Sequence, residues 1–422
     1  MSARRVLVVG AGGREHALVR TLLRGTSAPD VLATPGNAGI ARDGVECLPP
    51  GDVVARAQER EVDLVVVGPE APLVAGLVDD LGTAGIAAFG PTKAAARIEG
   101  SKAYAKELMR ECGVPTASHV LFRDREEAAA HLACASYPAV LKADVLAAGK
   151  GVIIAQDERE AREAIDVFFA EKRFGETEVV LEEFLEGEEL SLLALCDGER
   201  AVPLAPAQDY KRIYDGDEGP NTGGMGSYSP VPGVDADRAR EIAAEVHQPI
   251  VDELRRRGTP FHGVLYAGLM MGADGRPKVL EYNARFGDPE TQAVLPRLRS
   301  DLLELLEASS RPGGLAGVEP DWSDDWAVTV VLASGGYPQS SSSGDVISGL
   351  GEVEGAEVFH AGTAEQGGEI VTAGGRVLNV TGLGATPGEA RDRAYAAAEH
   401  IRFDGRQLRT DIASRAVDRV GA

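Results

Sequence analysis

The chain has 422 residues, with 43 basic against 66 acidic side chains and a formal charge of −23. That length allows about two to four domains of roughly 100–200 residues, each able to bury a core. The negative balance excludes general binding to nucleic acid or anionic membrane, which needs a positive field, but not a phosphorylated substrate held in a small basic pocket. No apolar run reaches the roughly 18–20 residues of a membrane helix, and the short apolar stretch near the N-terminus meets glycines too soon for a signal peptide. The expected compartment is the cytoplasm. Cys47, Cys112, Cys134 and Cys196 stand apart without a CxxC pair and read as reduced core thiols. Only eight of the basic residues are lysine, so each lysine is a candidate for what arginine cannot do, a compact ammonium beside a phosphate.

Residues 4–10 read as a buried strand, and Gly10-Ala11-Gly12-Gly13 as a tight turn into a helix with apolar spacing at Ala17, Leu18 and Leu22. A second strand at 31–34 ends in Pro35-Gly36-Asn37-Ala38-Gly39. A helix over 53–60, a strand over 62–67, a helix over 73–84 and a strand over 87–89 complete the alternation, which predicts a doubly wound parallel sheet. Then the pattern changes. A helix over 101–112, strands at 139–143 and 152–155 around a glycine-rich loop, a helix over 157–170 and strands at 178–184 and 190–196 make an α+β stretch with antiparallel hairpins. Residues 208–233 are irregular, with the composition of a functional loop or a disordered linker. Helices over 237–257 and 291–306 enclose strands at 264–271 and 279–282. After a loose segment at Arg311-Pro312-Gly313-Gly314, strands at 326–333, 358–360, 369–372 and 377–383 precede a helix over 387–401, with 340–343 a solvated loop.

The first glycine turn invites a dinucleotide reading, but that fingerprint wants glycine where Glu15 stands and an acidic residue at the end of the second strand. A nicotinamide cofactor is therefore not expected. The turn either offers N–H groups to an anion or permits close helix–strand packing. Gly149-Lys150-Gly151 is not a Walker A loop, since Asp144 replaces its first glycine and Gly151 the hydroxyl residue that would reach magnesium. Glycines bracketing Lys150, with Lys142 on the preceding strand, suit a flap over phosphates. Glu182-Glu183-Phe184-Leu185 runs an apolar strand edge toward Glu188 and Glu189, either a solvated turn or a slot for a purine with a carboxylate for its ribose. Strand alternation puts Glu281 and Asn283 on one face, hard oxygen donors suited to magnesium bridged to phosphates, and Arg285 and Asp288 follow where they address a charged substrate. Gln208-Asp209-Tyr210-Lys211-Arg212 and the glycine run at 219–226 fill the irregular stretch. The seven scattered histidines assemble no nucleophile triad.

In order and spacing these blocks resemble the glycinamide ribonucleotide synthetase (phosphoribosylamine–glycine ligase) family of ATP-grasp enzymes. The matching stretches are GAGGREHA at 10–17, PGNAG at 35–39, VGPEAPL at 67–73, FGPT at 89–92, EGSK at 99–102 and residues 142–152. They continue with EEFLEGEE at 182–189, residues 208–212, GPNTGGMG at 219–226 and EYNARFGDPETQ at 281–292. Toward the C-terminus Gly335-Gly336-Tyr337-Pro338, His360-Ala361-Gly362-Thr363, Gly374-Gly375-Arg376-Val377 and Thr410-Asp411-Ile412 also match.

The resemblance implies an ATP-grasp fold of mixed α/β and α+β class in three parts. These are an N-terminal doubly wound parallel-sheet domain (1–100), a two-lobed grasp region (101–320) with a mobile lid at about 117–188, and a small C-terminal α+β domain (321–422). It implies that ATP, glycine and 5-phosphoribosylamine give glycinamide ribonucleotide, ADP and phosphate through glycyl phosphate, with Mg2+ or Mn2+, in purine biosynthesis. By the same likeness Lys102 and Lys142 contact ATP, and Gly149, Lys150 and Gly151 close over its phosphates. Glu182, Glu183, Phe184 and Leu185 hold adenine, Glu189 the ribose, and Glu281 and Asn283 the metal. Lys142, Arg285, Asp288, Asp209 and Lys211 surround glycine and the reacting amine, and Gly12, Gly13, Gly36 and Asn37 take the phosphoribosyl group. Small-molecule partners only are implied, with a monomer expected and a dimer as the alternative.

Two positions depart from the family pattern. Val145 stands where the family usually has glycine, and if that glycine uses positive φ, valine would strain the flap and weaken ATP binding. Tyr210 replaces a common histidine, which argues against an indispensable imidazole there. Competing readings are another ATP-grasp ligase with a different acid or amine, and a non-catalytic nucleotide-binding regulator.

Overall fold

The computed structural model describes residues 3–147 and 151–421. Its first sheet has the order Glu46–Cys47, Asp30–Pro35, Arg5–Gly10, Leu64–Val67, Ala87–Phe89, all parallel. The central strand is sealed on both faces, with Val6, Leu7 and Val8 wholly buried, so its sequence is an unbroken apolar run rather than an alternation. Because the chain builds out from this strand first to one side and then to the other, a crevice opens at the carboxyl ends of Arg5–Gly10 and Asp30–Pro35, where both glycine turns lie. The helix expected over 73–84 is two, Glu70–Ala75 and Leu77–Thr83, broken at Gly76, whose φ of 108° suits only glycine.

Two antiparallel sheets meet across a cleft beyond this domain. His119–Phe122, Val179–Glu183, Ala139–Ala143 and Val152–Ala155 form one, carrying the helices Arg125–Leu132 and Glu158–Ile165, each started by an aspartate cap (Asp124, Asp157). This lobe owns a core that includes Phe122, Leu132, Leu141, Ile165 and Phe168. The helix expected over 157–170 keeps α geometry only to Ile165 and then widens into a π turn, Asp166–Ala170. The facing sheet has the order Ala201–Pro203, Glu188–Asp197, His262–Met271, Pro277–Asn283.

The stretch 208–233 is no linker. Arg212–Tyr214 pairs with Glu218–Asn221 as a hairpin. Gln208–Asp209 and Gly226–Ser229 join a five-stranded sheet with Trp326–Ala333, Arg376–Gly384 and Ala356–His360, packed against the helix Pro387–His400. Strands of two to four residues show no alternation, so composition alone suggests irregularity there. Ser343–Val346, Glu369–Ala373 and Thr363–Gln366 form a further sheet, adding two strands where loops are expected. The helices expected over 237–257 and 291–306 are interrupted. His247 separates Ala236–Val246 from Gln248–Arg256, and a 3-10 turn, Leu295–Arg297, containing Pro296 separates Glu290–Val294 from Leu302–Ser309. All four cysteines are free, but only Cys196 is a core thiol, and Cys134 is exposed. Among the described residues no helix is long and apolar enough to cross a membrane.

Candidate active site

The cleft between the two facing sheets encloses about 810 Å³, inside the roughly 300–1,000 Å³ range of ligand pockets. One buried carboxylate of the cleft is Glu182 on Val179–Glu183, only 3% exposed. Glu182 Oε2 receives Lys106 Nζ at 2.9 Å and Lys142 Nζ at 3.0 Å. Lys142 also donates to the Leu280 carbonyl at 3.0 Å, tying its own sheet to the facing sheet. Lys106 donates to Thr116 Oγ1 at 2.7 Å, and burial pulls its ammonium down to about 8 despite the Glu182 charge. Glu182 Oε1 is buried without a hydrogen-bond partner among the described residues. An acceptor left open in this way costs about 1–3 kcal/mol unless a ligand N–H reaches it.

Lys102 begins the helix Lys102–Cys112, where Ser101 caps the Tyr104 N–H. Its Nζ donates to the Val145 carbonyl at 2.9 Å, and burial lowers its pKa. Asp144 accepts from Ser101 Oγ and the Ala103 N–H, both at 3.0 Å, so the start of the flap is bound to the start of this helix. Val145 is not in the left-handed region: the non-glycine residues with positive φ among the described residues are Ala28, Glu61, Lys172, Asp217 and Ala413. The strain expected of valine is therefore absent, and the side chain packs against the core of Phe122, Leu141 and Phe168 instead.

Glu281 and Asn283 lie on one face of Pro277–Asn283, with Gly268 opposite Glu281. Burial would raise the Glu281 pKa, but Lys211, Lys142, Lys102 and Arg285 together lower it, so the carboxylate stays ionised. These two hard oxygens beside an array of phosphate-seeking cations fit a divalent cation that completes its shell with substrate phosphate and water. Arg285 is itself oriented by carboxylates: Glu99 Oε1 lies 3.2 Å from Nη2 and Glu70 Oε2 3.3 Å from Nε, and Nη2 also reaches Asn283 Oδ1 at 3.2 Å. The Glu99 carboxyl accepts the Ala284 N–H at 2.7 Å, which fixes the turn that carries Arg285.

Asp209 and Lys211 enter from the other wall. Lys211 Nζ lies 3.2 Å from Glu189, and nearby carboxylates raise its pKa although burial opposes this. Burial raises the Asp209 carboxyl, the charges of Glu290, Glu189 and Glu281 add to the rise, and Lys211 opposes them. Glu290 Oε1 accepts from Ser191 Oγ at 3.1 Å and from the Tyr266 hydroxyl at 3.0 Å in a buried network at this end of the cleft.

A second cavity of about 320 Å³ opens at the glycine turns, lined by Ala11, Gly12, Gly36, Asn37, Gly362 and Thr363. Asp288 and Arg376 line both cavities, 3.2 Å apart as an ion pair, and Arg376 Nη1 donates to the Asp288 carbonyl at 2.8 Å. The turns are already occupied in part. The Gly12 N–H is given to Glu15 Oε2 at 2.6 Å. Asn37 accepts from the N–H groups of Gly39 and Ile40 at 2.9 and 3.0 Å, and donates to the carbonyls of Ala11 and His360 at 2.9 and 2.8 Å. Its side chain shapes the wall and has no polar valence left for a ligand. Gly13 lines neither cavity: a Cβ there would stand 2.2 Å from Asn379 Nδ2, so this glycine serves close packing.

The structure thus gathers Lys102, Lys142, Gly151, Glu182, Phe184, Leu185, Glu189, Asp209, Lys211, Glu281, Asn283, Arg285 and Asp288 around one cleft. Glu183 borders it but turns its carboxylate to the Ser118 N–H at 3.0 Å and to Lys278 at 3.3 Å. Gly149 and Lys150 lie outside the described residues. Lys106, Glu70, Glu99, Glu290 and Arg376 join the site unannounced. Lys106 had a signal, being a scarce lysine one helical turn after Lys102, hence on the same face.

Two antiparallel sheets closing on a cleft, with Lys142 from one sheet, Lys102 and Lys106 from the helix beside it and hard oxygens from the facing sheet, define an ATP-grasp ligase. Profiles of phosphoribosylglycinamide synthetase match in series, its N domain over residues 4–99, its ATP-grasp (A) domain over 100–291 and its C domain over 327–415. The chain belongs to the phosphoribosylglycinamide synthetase family. It is 52% identical to the phosphoribosylamine–glycine ligase of Streptomyces coelicolor and 48% to that of Mesorhizobium japonicum, in each case across 98% of this chain and 99% of the other. The crystal structure of the Thermotoga maritima phosphoribosylamine–glycine ligase superposes with a TM-score of 0.83 at 38% identity, covering 96% of this chain and 99% of that one. The biotin carboxylase domain of Hydrogenobacter thermophilus 2-oxoglutarate carboxylase, at 18% identity and a TM-score of 0.72 over 96% of this chain and 91% of that one, shares the fold.

Proposed function

We propose that the protein joins glycine to 5-phosphoribosylamine with ATP, releasing glycinamide ribonucleotide, ADP and phosphate, as a cytoplasmic monomer of purine biosynthesis. The supporting observation is that Asp288 and Arg376 line both cavities, which sets a cation-lined cleft beside a pocket at a doubly wound sheet's switch point. In this reading the parts are an N-terminal domain (1–100), a grasp region (101–320) with a lid at about 117–188, and a C-terminal domain (321–422), the lid opening for nucleotide exchange.

Glycine's carboxylate is a poor acyl donor until it is phosphorylated, and phosphoryl transfer needs alignment and charge neutralisation rather than a protein nucleophile. Glu182 and the 182–185 edge hold the base, Glu189 the ribose, and Lys102 and Lys142 the phosphates. A divalent cation, Mg2+ or Mn2+, held by Glu281 and Asn283 would neutralise charge on the phosphate oxygens. Arg285 and Lys211 orient the glycine carboxylate, and Asp209 and Glu290 receive its ammonium. The amine of phosphoribosylamine then attacks glycyl phosphate from the second cavity, with Asp288 taking the proton as phosphate leaves. Backbone groups at Gly12, Gly36 and Asn37 face the phosphoribosyl group.

The test is ADP release with ATP, Mg2+ and freshly made phosphoribosylamine, glycine being present or replaced by alanine, serine or aspartate. Turnover that needs glycine and the amine together is expected. Turnover with another acid would move the reading to a different ATP-grasp ligase, and ATP binding without turnover would move it to a regulator.

A further inference from the structure

The Thr410-Asp411-Ile412 motif lies far along the chain from every group discussed above, yet its neighbour Arg409 is the largest fully buried side chain among the described residues. We infer that residues 409–415 form a latch that positions the 208–224 segment, and with it Asp209 and Lys211, at the carboxylate-substrate end of the cleft.

Arg409 joins two pieces of chain almost two hundred residues apart. Its Nε and Nη2 donate to the two oxygens of Asp411 at 2.7 and 2.6 Å, while Nη1 donates to the Arg212 carbonyl at 3.1 Å and to Asp217 Oδ1 at 2.9 Å. The guanidinium lies over the Tyr210 ring, 4.8 Å from its centre. The Tyr210 hydroxyl accepts the Ala413 N–H at 2.9 Å, the Gly216 N–H reaches Asp411 Oδ2 at 2.9 Å, and the Thr410 N–H reaches Asp215 Oδ1 at 2.8 Å. Arg415, which lines the cleft, closes the set on Asp217 Oδ2 at 2.5 Å. The latch is anchored from behind, where Arg391 donates to the carbonyls of Thr410 and Ile412 at 2.6 and 3.1 Å.

Two further observations carry the positioning role. Asp217 and Ala413, with φ of 58° and 62°, are two of the five non-glycine residues in the left-handed region among the described residues, one on each side of the latch. Such conformations persist where surrounding contacts over-determine them. The hairpin end held by the latch passes its register to the substrate residues: the Thr222 N–H and the Met225 N–H donate to the carbonyls of Lys211 and Tyr210, both at 2.7 Å. Arg409 touches no substrate group and acts through these residues. Lys102, Lys106, Lys142 and Glu182 make no contact with Arg409, and the latched segment meets the nucleotide end through Lys211 and Gln208 at Glu189.

The identity of the substrates rests on the ligase reading above; the geometry of the latch does not. The test compares wild type with Asp217→Asn, which keeps a residue tolerant of positive φ and removes two ion pairs, and Arg409→Lys, which keeps charge but not the fork. KM for glycine is expected to rise by about fivefold or more while KM for ATP stays within about twofold. Hydrogen exchange at the Thr222 and Met225 amides is expected to quicken by about tenfold, with lid amides unchanged. Unmoved KM values with unmoved exchange overturn the latch, as does an ATP KM that rises as much as that for glycine. If Arg409→Lys does not fold, Asp217→Asn decides. If the wild type shows no glycine-dependent turnover, the ligase reading falls and exchange in the hairpin alone decides.

Discussion

Lys106 and Lys142 converge on a single oxygen of Glu182, at 2.9 and 3.0 Å, and leave the other oxygen of that carboxylate open. Burial pulls the Lys106 ammonium down and the Glu182 charge opposes that pull, while the open oxygen is left as a fixed acceptor.

Glu182→Gln tests this division of labour. The lysines will take the amide oxygen, turning the NH2 toward the base, so an exocyclic amino group meets a donor and a carbonyl meets a partner. KM for ATP is expected to rise about tenfold, which corresponds to one lost hydrogen bond of about 1.4 kcal/mol, while KM for GTP does not rise. Steady-state kinetics with both nucleotides check it; parallel increases would show that Glu182 does not read the base.

Glu281 stands among Lys102, Lys142, Lys211 and Arg285. Glu281→Gln removes the only charge of the two proposed metal-binding oxygens. Turnover is expected to fall about a hundredfold or more, with the concentration of Mg2+ giving half-maximal rate raised, since both neutralisation and positioning are lost. An Mg2+ titration of the rate decides, and an unchanged half-saturation would remove Glu281 from the metal.

Val145→Gly should leave KM for ATP within about twofold, because the backbone at Val145 does not need glycine's left-handed conformation. The cost appears in the lid instead: loss of the packed side chain and added chain entropy lower stability by about 1 kcal/mol or more. KM measurement and thermal melting separate the two, and a sharply lower KM would restore the idea of a strained flap.

Three buried histidines set the acid limit. Burial lowers His247 to about 4 and His360 to about 3, and it lowers His16 as well. Unfolded histidine titrates near 6.5, so below that pH the unfolded chain binds more protons and stability falls as pH drops from 6.5 toward 4. For His247, wholly buried with Nε2 3.2 Å from the Leu192 carbonyl, the loss reaches about 3 kcal/mol once pH is below its folded value. Urea midpoints at pH 5 and 7.5 measure the slope, and His247→Gln, which keeps a donor for that carbonyl without titrating, should flatten it.

The parallel sheet and residues that line the cleft were readable in the chain because their signals are local: apolar runs closed by glycine, and Glu281 and Asn283 two residues apart on a strand. What escaped is what depends on distant partners. Asn37 matched a motif, yet its polar valences close the wall of the second cavity through Ala11 and His360. Tyr210 departs from the family at a position in the motif, and only the fold reveals that its hydroxyl meets Ala413. The strands at 208–209 and 226–229 could not be recognised because the strand that gives them meaning begins at Trp326.

That last pairing also orders the birth of the enzyme. The lid and most of the nucleotide cleft need no residue beyond about 300, and chains fold largely from the N-terminus as they are made. Gly226–Ser229 must wait for Trp326–Ala333, and the hairpin beside it for Arg409. A nascent chain can therefore complete the lobe around Lys142 and Glu182 while the 208–224 segment is still loose, and the Asp209–Lys211 end of the cleft is set only as residues 409–415 arrive.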